Sequence, residues 1–553
     1  MASTKASSNT AKSIQVPLIS HPLNPAARRS KDRDGLINRI ESYVLTHFGP
    51  IWALIQAVPP LRRRTNRWLI NRAIYKTKTR PYPFSTMSDF TSWDSLTDRS
   101  YSDRHLPSAE LPGGPLPPIE EVQALFQRRG ETTLSPKSSL LFSYFAQWFT
   151  DGFLRTDRVD PLKNTSNHDV DLSPLYGLSR RITPLLRAKT GGRLKSQQIN
   201  GEEYPHYYYR DGRPADEFIA EWGELPIIVP DWLEQFPDRK ATLFAFGGER
   251  ANVQIGYVML NTLFLREHNR ICGVLSHEHP DWNDERLFQT TRNITIVLLI
   301  KLVIEEYINH ITPYHFKFQV NPPIGGKESW YRTNWMTVEF NLLYRWHGLI
   351  PDKVVIGDQM LPMEQTLFNN PIVTSIGLGP LFDAASRQPA GEIGLFNTPI
   401  SLMETEKASI QHGRLVGLAS YNDYRERVSY PRVTRFDQIT GDPERQRALE
   451  RLYGHVDRVE FYVGLFAEDV RPNAAVAALI GRLVGIDAFS QALTNPLLAE
   501  NVYNEKTFTS TGLSIIESTR SLSEVLQRNI PPSKTMYAAS LTRLDWRRIP
   551  SNF

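Results

Sequence analysis

The sequence predicts a mainly α fold. From Ser138 onward, apolar residues return at helical spacing in stretches such as SLLFSYFAQWFTDGFL, YVMLNTLFLREHNRICGVL and RNITIVLLIKLVIEEYI. Strand-like alternation is scarce, with YPHYYYR (Tyr204 to Arg210) and KVVIGDQML (Lys353 to Leu361) the best short hairpins. No internal repeat is visible, so residues 81–553 read as one large domain.

Taken in order, residues 1–35 mix Ser, Asn, Pro and charge without periodicity and read as a flexible tail. Residues 36–80 carry short apolar groups (Val44, Leu45, Phe48, Ile51, Trp52, Leu54, Ile55, Val58, Leu61) broken by Gly49, Pro50, Pro59 and Pro60. The stretch from Leu61 to Arg80 then holds eight Lys or Arg and no acid. No apolar run reaches the roughly 18 residues that span a bilayer. Short amphipathic helices with a basic flank suit a bilayer surface, and equally a core hairpin beside a solvated basic face. From 81 to 132, Pro, Ser and Asp dominate and the chain reads as extended connection.

Composition narrows the classes. A hydrophobic content of 41% is ample for a core, and a formal charge of +5 over 553 residues does not point to nucleic acid. The single cysteine, Cys272, allows neither an internal disulfide nor a cysteine metal cluster, which fits a reducing compartment. MASTKASSNTAKS has no apolar core of a secretory signal. The expectation is a cytoplasmic, unsecreted protein, with the sequons at Asn164 and Asn293 unused.

The most informative stretch is FNLLYRWHGLIPD, Phe340 to Asp352. Read as helix up to Gly348 and Pro351, it puts Tyr344 and His347 on one face at i, i+3. A haem iron needs a proximal imidazole, and radical chemistry beside it needs an oxidisable side chain. This turn offers both. The same spacing also suits a satisfied core histidine beside a packing tyrosine.

The surrounding sequence separates these readings. Phe264 to Phe318, Leu45 to Arg64, Tyr144 to Asp157 and Asn167 to Gly177 resemble, in order and approximate spacing, the prostaglandin endoperoxide synthases, the cyclooxygenase-like branch of the animal haem peroxidases. The resemblance runs from about residue 36 to the C-terminus. It implies a mainly α haem peroxidase domain over 81–553, with residues 36–80 as monotopic membrane-binding helices. His347 then matches the proximal haem ligand, and Tyr344 the tyrosine whose radical takes hydrogen from a fatty acid. Gln147 matches the distal glutamine. Asp151 stands where the family has its distal histidine, which moves a proton between peroxide oxygens. An anionic Asp151 would repel a hydroperoxide anion, so weak peroxidase turnover is expected. Arg250 falls where myeloperoxidase-type enzymes carry a distal arginine, and it can pair with Asp151. Thr150 and Val253 occupy the positions of haem ester links and lack carboxylates, so haem b should be held noncovalently. Asn167, Asp169, Asp171 and Ser173 resemble the calcium loop of calcium-binding members, although Gly152 replaces a further carboxylate. The charges of LREHNR (Leu265 to Arg270) read as internal structural pairs, with His268 structural.

The resemblance also implies a substrate channel. Tyr314 matches the tyrosine at its mouth; Ala73 aligns with the carboxylate-binding arginine, leaving Arg72 one position away as the candidate. Ile308 and Leu343 match channel-wall residues, Ser490 the serine beside the catalytic tyrosine, and Ile486 replaces a glycine near the channel end. The expected activity is haem-dependent dioxygenation of an unsaturated C18 acid, linoleate first, to a hydroperoxide, with fatty acid, O2 and a membrane surface as partners and a homodimer as the family's assembly. The alternatives are an α-dioxygenase acting at C2 and a silent haem- or lipid-binding membrane protein; the intact Tyr344/His347 pair argues against the last.

Overall fold

A computed structural model describes residues 35–77, 92–220, 223–322 and 325–550. Most of the expected tail, and residues 78–80 of the basic stretch, lie outside them. The N-terminal arm is three short helices, α1 (Leu36–Thr46), α2 (Gly49–Ala57) and α3 (Pro59–Ile74). Prolines in the first turns of α2 and α3 start each helix where a backbone N–H is not needed. The arm is joined to the body by a few anchors: Trp52 is buried against Phe316, and α3 packs on α10 (Ala478–Leu493).

The body centres on α5 (Ile255–Glu278), which is buried almost all round, as its apolar sequence demands. Packed on it are α4 (Leu140–Thr150) and α6 (Asp284–Leu302). The α4–α5 contact is a glycine contact: a Cβ on Gly256 would lie 2.0 Å from Tyr144 Cγ. Side-chain caps set the starts of these helices, Ser139 for α4 and Gln254 for α5. At its C-terminal end α6 widens into a π-helical turn, Val303–Ile308, a form that concentrates at functional sites. It is followed by α7 (Val338–Leu343), α8 (Met403–Leu415) and α9 (Phe461–Ala467).

All named strands pair as two-stranded antiparallel ladders. Lys353–Ile356 pairs with Gln359–Pro362 around Gly357, as the sequence predicts. Tyr204 to Arg210 is not one hairpin: Tyr204 ends a strand paired to Gln197–Ile199, and Tyr209–Arg210 opens a second ladder with Arg213–Pro214. The tyrosines between serve the core instead, Tyr204 and Tyr207 each stacking on Phe244. LREHNR is structural throughout. Glu267 binds Arg270 and Arg528, and His268 sits between the Tyr176 hydroxyl (2.8 Å) and the Gly192 carbonyl (2.9 Å).

Candidate active site

The FNLLYRWHGLIPD segment is less helical than its spacing implies. Thr337 caps α7 through the Phe340 N–H, but the helix ends at Leu343, with Tyr344 as its C-cap and His347 opening a separate 3₁₀ turn. The break follows from the backbone's other partners. The Gly348 carbonyl accepts from Asn397 Nδ2, and a Cβ on Gly391 would lie 2.0 Å from that same oxygen. Packed this closely against 391–397, the chain cannot complete another α-turn. Tyr344 and His347 nevertheless line one cavity of about 300 Å³.

Gln147 and Asp151, one turn apart at the end of α4, line the same cavity, as does Arg250 from the loop before α5. Arg250 bonds Asp151 Oδ1 at 3.3 Å, and Gln254 donates to Gln147 Oε1 at 3.2 Å. Burial raises the Asp151 pKa, while Arg250 and Arg155 pull the other way. Its second oxygen, Oδ2, is buried without a hydrogen-bond partner, as are Tyr344 Oη and Trp346 Nε1. The Tyr344 ring packs on Trp346 at 4.6 Å and edge-on to Phe340 at 5.0 Å, and burial pushes its phenol pKa upward. It is therefore a neutral phenol at ordinary pH.

His347 is oriented by a residue that the sequence gives no sign of. Its Nδ1–H donates to Glu406 Oε2 at 2.6 Å, from α8. Glu406 is fully buried and also accepts from Tyr462 Oη (2.5 Å) and Thr398 Oγ1 (3.1 Å). A carboxylate on Nδ1 fixes the tautomer and leaves Nε2 as the ligating nitrogen, the usual arrangement behind a metal-bound histidine.

Comparison with known proteins decides the lineage. Residues 158–540 match the family model described as animal haem peroxidase. Prostaglandin G/H synthase 2 of Equus caballus is 34% identical over 502 residues, 88% of this chain and 80% of the relative; prostaglandin G/H synthase 1 of Rattus norvegicus is 33% identical over 483 residues, covering 84% and 76%. The chain belongs to the animal haem peroxidase family. Fatty acid α-dioxygenase of Oryza sativa has the same fold, with a TM-score of 0.64 at 16% identity over 92% of this chain and 98% of that one. Peroxidase A of Dictyostelium discoideum superposes with a TM-score of 0.61 at 19% identity, over 80% and 95%.

The residues of this haem peroxidase fit its family's cofactor. His347 Nε2 would be free to ligate the iron, Val253, Leu349, Ile350 and Leu367 would give the ring apolar walls, and the cation of Arg345 also lines the cavity. Thr150, whose hydroxyl donates to the Ala146 carbonyl, and Val253 both line the cavity.

A second cavity, of about 120 Å³, lies towards the N-terminal arm and holds Ile308 and Tyr314. Arg72 does not line it. That side chain turns outward, 37% exposed, to bond Glu41 at 3.0 Å, while Ala73 faces the cavity. The cations that line it are Lys76, Arg471 and Arg482. Arg482 packs over the Tyr430 ring at 4.3 Å and donates to Asn38 Oδ1 and the Val428 carbonyl. Its signal in the sequence is the one basic residue of a mostly apolar helix, ALIGRLVGIDAFSQAL. Leu343, Ile486 and Ser490 line neither cavity; they are buried in the layer where α7 packs on α10, between the two. Tyr307, from the π-helical turn, is buried in the same region, its phenol pushed up by burial and by neighbouring Tyr344.

The residues of the calcium-like loop bond one another. Asp171 Oδ1 accepts from the Ser173 N–H and Oδ2 from Asn167 Nδ2, Ser173 Oγ donates to the Gly152 carbonyl, and Asn167 Oδ1 accepts from the Asp169 N–H. Among the described residues no three acidic, His or Cys side chains gather as a cation site.

Proposed function

We propose that this haem peroxidase is a fatty-acid dioxygenase that converts an unsaturated C18 acid, linoleate foremost, to a hydroperoxide on noncovalently bound haem b. The observation that carries the reading is the Glu406-oriented His347 sharing one cavity with Tyr344, Gln147, Asp151 and Arg250. Haem, when bound, supplies the one-electron oxidation that turns the Tyr344 phenol into a radical. Tyr344 then takes one allylic hydrogen atom from the substrate. O2 adds to the carbon radical, and the peroxyl radical takes the hydrogen back from Tyr344, so that R–H and O2 give R–OOH. The buried Tyr307 hydroxyl lies beside that of Tyr344 and helps to orient it in the cavity.

The carboxylate end is held in the second cavity by Tyr314 with Arg482 and Lys76 in place of Arg72. The layer of Leu343, Ile486 and Ser490 must part or flex for the chain to reach Tyr344, and Ile486 shortens the space available. Asp151 in its ion pair is a poor proton shuttle, so the hydroperoxide leaves unreduced. The outward apolar residues of α1–α3 (Ile37 71%, Leu54 67% and Trp68 56% exposed) rest in one leaflet of a membrane; among the described residues no helix is long and apolar enough to cross one.

Haem-loaded protein incubated with linoleate, oleate and palmitate, with products read by mass spectrometry, tests the reading. A linoleate hydroperoxide is expected and palmitate should be inert. Palmitate oxygenated at C2 would replace this reading with α-oxidation.

A further inference from the structure

Beside the N-terminal arm, and on the other side of Phe318 from the second cavity, a groove of about 1000 Å³ runs between α3 and the body. Its charge is lopsided. Helix α3 contributes Arg62, Arg63, Arg64 and Arg67; Lys301, Lys317 and Arg520 come from three other segments; among the described residues that line it the acids are Glu305 and Glu517. Glu305 is already used by Lys301 at 2.6 Å and by the Val320 N–H at 3.0 Å. Arg62, Arg63, Arg64, Lys317 and Arg520 have no ion-pair partner among the described residues. The protein packed around the Lys317 amine, with Arg548 beyond it, pushes its pKa down to about 8, the direction of a cation that lacks an acid.

Two further donors wait in the same groove. Arg62 Nε and Asn321 Nδ2 are buried with no hydrogen-bond acceptor. Buried donors left unmade are costly, so the site is complementary to an oxygen-rich anion. Its floor is apolar, with Val297, Phe318 and Ile516. The cations also begin where the outward apolar face ends: Leu61 and Trp68, exposed and seven residues apart on one face of α3, flank Arg62–Arg64 and Arg67. A ligand that is anionic at one end and apolar at the other, presented at the level of the arm, meets all of these features.

We propose that this groove binds the phosphate headgroup of an anionic phospholipid in the surface on which α1–α3 rest. The proposal depends on the membrane docking read above, and the experiment separates the two. Full-length haem-loaded protein is floated with vesicles of phosphatidylcholine alone and of phosphatidylcholine with phosphatidylglycerol. Lys317→Gln/Arg520→Gln removes two groove charges without touching α3; Arg447→Gln/Arg451→Gln removes two exposed charges from a distant helix. At roughly a fivefold change in affinity per cation near an anionic surface, the groove pair should weaken binding to the anionic vesicles about 25-fold. Binding to phosphatidylcholine alone should be unchanged, and the distant pair should match wild type. Equal loss in both pairs, or none in the groove pair, overturns the site in favour of diffuse charge or of no role. Failure of the wild type to float with either vesicle overturns the docking itself, whereas equal flotation with both overturns the headgroup site alone. Calorimetric titration with glycerol 3-phosphate in the absence of vesicles tells lipid from soluble phosphate: no heat is expected, and saturable binding lost in the groove pair would reassign the site to a soluble phosphate ester.

Discussion

One oxygen atom carries the proposed chemistry, the Tyr344 hydroxyl. Apart from the Tyr307 hydroxyl beside it, it has no hydrogen-bonding neighbour, so Tyr344→Phe removes the reactive atom and little from the fold. Haem loading and thermal stability should match wild type while O2 uptake with linoleate falls to the level of the substrate-free blank; sustained uptake would move the radical to another side chain, with Tyr307 and Trp346 both beside it. Glu406 offers a complementary test on the iron side. Replacing it by Gln keeps the shape and a hydrogen-bonding oxygen but removes the charge behind His347. Such outer partners are typically worth about 10- to 100-fold in metal affinity or activity. Glu406→Gln should therefore weaken haem binding in a Soret titration and raise the reduction potential of the bound haem. An unchanged potential would reduce Glu406 to packing. Tyr344 and His347 are legible in the sequence because they stand three residues apart in one aromatic segment. Glu406 lies 59 residues beyond His347 on another helix, and only the fold brings them to 2.6 Å. Arg482 escaped notice for the same reason, and Arg72 misled because a neighbour in sequence points elsewhere once Glu41 claims it.

At the scale of elements, the cavity depends on how closely α4 lies on α5. Gly256 is the contact that permits it, and α4 carries both Gln147 and Asp151. Gly256→Ala places a methyl group inside the Tyr144 ring, so the helices must separate. Overpacking of this kind costs about 1–3 kcal/mol, and the displacement falls on the wall that bears Gln147. The variant should unfold at lower urea concentration and bind haem with an altered Soret maximum. A wild-type midpoint would mean that the helices slide past one another instead of separating. The helices themselves were readable: apolar residues at 3.6-residue spacing mark α4, α5 and α6 plainly. Two local readings failed where backbone partners outside the window took over. The α7 segment stops at Leu343 because Gly348 packs on 391–397, and the tyrosine-rich 204–210 stretch divides between two ladders because its rings are claimed by Phe244.

Across the whole molecule, buried histidines set the response to acid. His268 is held neutral between Tyr176 and Gly192, with burial pushing its pKa down to about 3; burial likewise lowers His168 and His412 to about 4. In the unfolded chain each titrates near 6.5. Between these limits the unfolded state binds more protons than the native state, so stability is fully present above about pH 6.5 and is lost as pH falls. Glu306 works in the opposite sense. Burial raises its pKa to about 7, above the unfolded value of 4.5, so acidification through that window favours the native state. Burial lowers His310 and His315 as well and adds to the loss, whereas Asp487 raises His105 against the pull of burial and adds to the gain. The lowered histidines outnumber the raised groups among these, so the balance is a loss of stability as pH falls below about 6.5. The urea midpoint should therefore drop steeply from pH 7 to pH 5. His268→Gln, which cannot charge, should flatten the slope by roughly one group's share of about 1.4 kcal/mol per unit, whatever it costs at pH 7. A midpoint that stays level across this range would mean that water or local opening lets the histidines protonate inside the native protein, and that its core is looser than the packing around α5 implies.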